Sequence, residues 1–165
     1  LWPIKQEGIS YNSYLINDEK KALIDMSSEL TTHEFIEQIQ DVMNFAELDY
    51  VIINHMEPDH SGALTALRLI APQVTIIGSQ KTSEMLERFY GITENVRVVA
   101  DGETLSLGKH TLRFFSTPFF LLLPVTPSTE PTPSICSITG RLRQRLFIKR
   151  FITGWFSPEN SIRID

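Results

Sequence analysis

Cysteine is nearly absent from this 165-residue chain, which contains a single one, Cys136. One cysteine excludes an intrachain disulfide framework and a zinc site built on several thiolates. Positive charge is also scarce, because 15 Lys and Arg stand against 20 Asp and Glu, for a net charge of −5. This balance argues against nucleic-acid binding through bulk positive charge.

Long hydrophobic runs are missing as well. The longest, residues 119–123, is far shorter than the ~20 residues that a membrane-spanning helix needs. No charged segment followed by an apolar run opens the chain, so no signal peptide is visible. We therefore expect a cytoplasmic protein that binds neither a membrane nor nucleic acid.

The composition changes near residue 118. Residues 1–118 carry 17 acidic and 9 basic residues, a net charge of −8, whereas residues 119–165 carry 3 and 6, a net charge of +3. The second part holds five of the nine prolines, and residues 124–139 are rich in Pro, Ser and Thr. Such a composition buries little apolar surface. We predict a folded part, residues 1–118, followed by a divergent tail, residues 119–165, that is Pro/Ser/Thr-rich and then basic and is disordered or unrelated to the fold.

In residues 1–118, segments whose apolar residues have the spacing of a strand alternate with segments whose apolar residues have the spacing of a helix. Strands are predicted at residues 11–16, 22–25, 50–53, 74–77, 96–99 and 111–115, and helices within residues 31–43, 61–70 and 82–90. Thr31 and Glu34 have the spacing of a capping box, and Gly91 is placed to end the third helix. The order predicts an α/β fold with an opening hairpin, then a mixed sheet with a helix layer.

Four potential metal ligands fall within six residues, directly after the predicted buried strand at residues 50–53. They are His55, Glu57, Asp59 and His60. In an extended loop, side chains at alternate positions point the same way, so the first three can converge on one volume. The mixture of imidazoles and carboxylates suits iron, manganese or zinc.

Pro58 favours an extended conformation for the residue before it, and we expect the loop to stay extended until a helix begins at Ser61. The plainer interpretation is a solvated polar loop, which the density of ligand types disfavours. His33, in the first turn of a helix, is expected to be solvated. His110, at a turn before a strand, is expected to be structural.

At this loop the sequence resembles a known family. Residues 55–62, His-Met-Glu-Pro-Asp-His-Ser-Gly, look like the first metal-binding motif of the flavodiiron proteins, and residues 11–16, 22–25, 49–54, 89–92 and 101–105 look like family segments in family order. The resemblance covers about residues 8–118. The carboxylate at Glu57 marks the iron-binding branch, since hydrolases of the same superfold usually have histidine there.

The resemblance implies a partial metallo-β-lactamase-like αββα sandwich with a non-haem diiron centre. In the family such a centre reduces dioxygen to water or nitric oxide to nitrous oxide. By the motif, His55 and Glu57 would bind one iron, Asp59 the other, and His60 would bind that second iron or lie close to it. Electrons would come from a redox donor protein through FMN on a flavodoxin-like domain, in a head-to-tail homodimer.

The sequence departs from the family pattern after Pro118. The family has a histidine shortly after this point, then a bridging aspartate and a further histidine, whereas no histidine follows His110 and the last aspartate is Asp165. We also expect the flavodoxin-like domain to be missing. We expect a shifted reading frame, an unrelated splice or a gene-model join near residue 119, and a chain that is inactive alone as a reductase. The alternatives are a non-catalytic fragment with a residual metal-binding loop and, with less support, a metal-dependent hydrolase.

Overall fold

A computed structural model describes residues 11–54, 56–118, 133–135 and 148–153. Its centre is a six-stranded sheet. The strands of this sheet are β1 (Tyr11–Ile16), β2 (Lys21–Ile24), β3 (Leu48–Ile52), β4 (Thr75–Gly78), β5 (Val96–Val98) and β10 (Ile148–Thr153). Their order is β10-β1-β2-β3-β4-β5. β1 pairs antiparallel with both β10 and β2, whereas β2, β3, β4 and β5 run parallel to one another.

Helices connect the parallel strands and lie on one face of the sheet. They are α1 (Thr32–Gln40), α2 (Pro58–Ser61), α3 (Leu64–Ile70) and α4 (Gln80–Met85), the last continued by a π-helical turn, Leu86–Tyr90. Short 3₁₀ turns, Glu29–Thr31 and Phe45–Glu47, precede α1 and β3. Parallel strands need such crossover connections, which here bring the chain back to start each strand at the same sheet end.

Both faces of the sheet are buried, in two separate apolar clusters. On the helix side, Phe35, Ile39 and Leu64 pack against Val51 and other strand residues. On the opposite side, strand residues pack against a two-stranded hairpin. That hairpin is β6 (Thr104–Ser106) and β7 (Thr111–Arg113), and the main contacts of this side are made by Ile16, Ile24, Ile52, Ile77, Leu105, Leu112 and Phe114. Burial on both faces explains the apolar run at residues 50–53, which forms most of β3 and the residue after it.

The hairpin is fixed to the sheet by the turn between β1 and β2. Asp18, whose side chain is only 2% exposed, accepts hydrogen bonds from the backbone N–H of His110 at 2.8 Å and lies 2.7 Å from its ring Nδ1. The backbone N–H groups of Glu19 and Lys109 also donate to this carboxylate. His110 therefore has the structural role expected for it, through a partner 92 residues away.

The α/β class, the opening hairpin and the order of strands and helices are confirmed. The capping box is wrong, since the Thr31 side chain makes no cap hydrogen bond and contacts Ser28 instead. None of the helices in the described ranges is long and apolar enough to cross a membrane.

Within the predicted tail, the structure describes two strands. β9 (Pro133–Ile135) pairs antiparallel with β8 (Ser116–Pro118), and β10 pairs with β1. The other tail residues, Cys136 among them, lie outside the described residues. The division of the chain at residue 118 stays a prediction.

Candidate metal centre

The predicted metal loop leaves the carboxyl end of β3, beside the end of β2. The two strands are parallel, so the residues that follow them meet at one edge of the sheet, which is the usual ligand position in α/β folds. After the fully buried Ile53, Asn54 begins the loop. His55 lies outside the described residues.

The loop is shorter than the sequence predicts. α2 begins at Pro58, directly after Glu57, which has extended backbone angles of φ −68° and ψ 148°. The expectation of an extended loop up to Ser61 is therefore wrong. Proline suits the first position of a helix, because its missing N–H would have no intrahelical partner there. Asp59 and His60 consequently lie on a helical turn.

Of the described ligand candidates, Asp59 and His60 come together. The Nε2 atom of His60 lies 3.3 Å from Oδ2 of Asp59. Glu57 is half-buried and its backbone carbonyl accepts hydrogen bonds from the N–H groups of His60 at 2.9 Å and Ser61 at 3.0 Å. Within the described ranges no group of three or more His, Cys, Asp or Glu side chains is placed to hold a metal ion.

Asp25 is the residue at this edge that the sequence pattern did not indicate. It follows β2 and is buried, and its Oδ2 lies 3.3 Å from Nδ1 of His60. Its two carboxylate oxygens also accept hydrogen bonds from the backbone and side-chain nitrogens of Asn54, at 2.9 and 2.8 Å. A signal was present, since a carboxylate at the end of a strand parallel to the next one lies at the ligand edge of the sheet.

These carboxylates change the protonation of His60. Burial opposes its charged form, but the hydrogen bond to Asp25 and the negative charges of Asp25, Asp59 and Glu57 outweigh burial, so the pKa of His60 is raised. The same concentration of negative charge favours a bound cation. Each imidazole nitrogen of His60 faces a carboxylate: Nε2 faces that of Asp59, a ligand candidate, and Nδ1 faces that of Asp25.

The donor types at this edge, imidazole and carboxylate, are those that suit iron, manganese or zinc. A histidine that binds a metal through one nitrogen typically uses the other to donate to a carboxylate, and Asp25 stands at that second nitrogen of His60. The side-chain oxygen of Asn54 is buried and has no hydrogen-bond partner among the described residues. The two other described histidines lie elsewhere. His110 contacts Asp18, and His33 is 84% exposed, 3.8 Å from Glu37, and so is solvated as expected.

The fold and this loop define a metallo-β-lactamase-like domain. The sequence model of the family described as "ODP family beta lactamase" matches residues 9–122, and the chain belongs to this family. The homologues of this part of the chain are flavodiiron proteins, which confirms the resemblance and the αββα superfold.

Three relatives illustrate the similarity. The chain is 41% identical over 114 residues to diflavin flavoprotein A 2 of Synechocystis sp., covering 68% of this chain and 20% of that protein. It is 36% identical over 112 residues to a nitric oxide reductase of Moorella thermoacetica, covering 67% and 28%. The solved rubredoxin:oxygen oxidoreductase of Desulfovibrio gigas superposes with a TM-score of 0.63 at 36% identity, covering 70% and 28%. The chain thus spans less than a third of the length of these relatives.

Proposed function

We propose that this chain carries the first metal-binding segment of a flavodiiron oxidoreductase and binds iron through His55, Glu57, Asp59 and His60. The observation that carries the proposal is the placement of His60 between Asp59 and Asp25, 3.3 Å from each. That arrangement orients the imidazole and leaves Nε2 beside a second ligand candidate.

Each described residue has a distinct part in this proposal. Asp25 holds the proton on Nδ1 of His60, so that Nε2 presents its lone pair toward the ion. Asp59 and Glu57 supply the negative charge that attracts a cation. Bound iron would supply the redox chemistry, by which relatives named nitric oxide reductase and oxygen oxidoreductase act on nitric oxide or dioxygen.

The finer parts of the proposal concern the complete reaction. We propose that a second iron, FMN, a redox donor protein and a head-to-tail homodimer are needed for turnover, in a cytoplasmic setting. The sequence has no histidine after His110 to complete a diiron site. The chain alone is therefore proposed to bind metal without completing the multi-electron reduction of dioxygen or nitric oxide.

Metal content per chain tests this proposal. The chain is purified anaerobically with and without added ferrous iron, and iron is quantified by mass spectrometry. We expect one iron per chain, which Glu57→Gln and His60→Ala remove and which His33→Ala, a change at an exposed histidine, leaves in place. Two tightly bound irons would show a complete centre, and no iron at micromolar concentration would overturn the metal-binding proposal.

A further inference from the structure

The π-helical turn after α4 brings a tyrosine to the metal loop. Tyr90 is the last residue of this turn, and Gly91 follows in the left-handed conformation with φ 63°. The fully buried Leu86 anchors the start of the turn in the core. Single π-helical turns are rare and are frequent at functional sites, because the wider turn redirects one side chain.

The tyrosine hydroxyl contacts the second residue after Asp59. Oη of Tyr90 lies 3.0 Å from Oγ of Ser61, a side chain that is fully buried. Oγ of Ser61 also reaches the carbonyl oxygens of Glu57 at 3.0 Å and of Met56 at 3.4 Å. Either hydroxyl of the Tyr90–Ser61 pair can be the donor. When Ser61 donates to Glu57, the O–H of Tyr90 donates to Ser61, and a two-step chain of hydrogen bonds runs from Tyr90 to Glu57.

This chain of hydrogen bonds ends at the carbonyl oxygen of Glu57, the residue directly before α2. The same Glu57 oxygen accepts the N–H groups of His60 and Ser61. α2 has only four residues, too few for a helix to be stable by itself in water. Its geometry, and with it the directions of the Asp59 and His60 side chains, therefore depends on contacts from outside.

We propose that Tyr90 is a positioning residue for the metal loop, acting through Ser61 on the turn that presents Asp59 and His60. This inference rests on the proposed function where its test measures metal binding. It does not rest on the proposed function where its test measures amide hydrogen exchange of the metal-free protein. The ring of Tyr90 packs against the helix-side core, so the hydroxyl can be removed in Tyr90→Phe with that packing retained.

The test compares Tyr90→Phe with Tyr14→Phe. Tyr14 packs against the opposite apolar cluster, and no described residue makes a hydrogen bond to its hydroxyl. Amide hydrogen exchange of the metal-free proteins is the first readout. In Tyr90→Phe we expect exchange at the N–H groups of His60 and Ser61 to be about five- to tenfold faster, as for the loss of one hydrogen bond, with no such change in Tyr14→Phe.

Titration with Co²⁺, followed by its visible ligand-field bands, is the second readout. We expect Tyr90→Phe to weaken Co²⁺ binding ~10–100-fold, the usual effect of losing a group that orients a ligand, and to alter the band shape. Ser61→Ala should do the same, and the double variant should be no worse than Ser61→Ala, because both groups belong to one chain of hydrogen bonds.

The outcomes separate the two proposals. If the unmodified chain binds no Co²⁺, the proposed function fails, and the exchange rates alone decide the role of Tyr90. If it binds Co²⁺ and Tyr90→Phe matches Tyr14→Phe in both readouts, or if the effects of Tyr90→Phe and Ser61→Ala add fully, the positioning role is overturned.

Discussion

Asp25 joins three segments that are far apart in the sequence. Its backbone has φ 53°, a left-handed conformation that costs a non-glycine residue about 1–2 kcal/mol. Its carbonyl oxygen accepts the hydroxyl of Ser13 at 2.6 Å, while its carboxylate contacts Asn54 and His60. These bonds compensate the strained backbone and join β1 to the residues that follow β2 and β3.

Asp25→Asn tests this arrangement with almost no change of shape. The new side-chain N–H₂ group would face a nitrogen of Asn54 that now donates to the carboxylate. Two donors would then face each other, and one buried hydrogen bond would be lost. We expect the free energy of unfolding to fall by about 1–3 kcal/mol, and the pKa of His60 to fall because one source of negative charge is gone. Urea unfolding and an NMR titration of His60 measure the two effects.

The control for this change is Asp41→Asn, at an exposed position after α1. Surface changes of this kind usually alter stability by no more than about 0.5 kcal/mol. If Asp25→Asn and Asp41→Asn unfold at the same urea concentration and His60 titrates unchanged, Asp25 does not hold the loop.

The lowered pKa of Asp18 predicts that the stability of the protein depends on pH. Burial of Asp18 favours the neutral acid, but hydrogen bonds from Glu19, from the ring and backbone of His110 and from Lys109 outweigh burial and lower its pKa from 3.8 to about 2. A group whose pKa is lower in the folded state stabilises the fold above its unfolded pKa. This stabilisation should be complete above pH about 4 and should be lost as the pH falls toward 2.

Asp18→Asn isolates that contribution. The difference in unfolding free energy between the unmodified chain and this variant should be constant at neutral pH and should shrink as the pH falls from about 4 toward 2. Urea unfolding at a series of pH values measures the difference, and other carboxylates cancel because both proteins share them. A difference independent of pH would contradict the lowered pKa.

At the level of elements, the sequence predicts the strands better than the metal loop. The apolar runs of β3 and β4 are buried on both faces and carry a clear signal. α2 carries none, because four residues are too few for a helical period, and Pro58 reads equally as a loop residue or as the first residue of a helix. Similarly, no pattern in the sequence connects Asp18 with His110 or Tyr90 with Ser61, since those contacts depend on the folded chain.

Gly62 sets how closely α2 approaches the turn before α1. A Cβ atom there would overlap the backbone nitrogen of Glu29 and would lie 2.7 Å from both the carbonyl carbon of Ser28 and the carbonyl oxygen of Pro58. The backbone of Gly62 is right-handed, with φ −60°, so close approach is the reason that glycine is needed here.

Gly62→Ala should therefore displace α2. We expect a loss of about 1–3 kcal/mol in unfolding free energy, together with changed NMR shifts at Asp59 and His60 and weaker metal binding. Gly102→Ala is the matched control, since its cost arises from the left-handed backbone, with φ 76°, and a Cβ there meets only the Arg113 side chain at an ordinary 3.7 Å. It should destabilise the protein by about 1–2 kcal/mol and leave the shifts of Asp59 and His60 unchanged. Equal shift changes in both variants would argue against the close approach.

The large sheet, which carries the metal loop at the carboxyl end of β3, is packed between a layer of helices and a hairpin. Helices cover one face of the sheet and the hairpin covers the other, so β1 to β4 are packed from both sides. At the edge beyond β1, β10 pairs with all six residues of that strand, from Tyr11 opposite Thr153 to Ile16 opposite Ile148. Composition alone, with its charge change near residue 118, predicts no such pairing.

Two shortened chains test whether β10 belongs to the sheet. A chain of residues 1–147 lacks β10, whereas a chain of residues 1–153 retains it and lacks only the residues that follow. Without β10, the unpaired N–H and C=O groups of β1 become an open edge that favours association between copies. We expect the shorter chain to melt at a lower temperature and to self-associate in light scattering, and the longer one to behave like the full chain. If the two shortened chains melt at the same temperature and both stay monodisperse, β10 adds nothing to the sheet. That result would support the prediction of an unrelated tail and would argue against the pairing of β10 with β1.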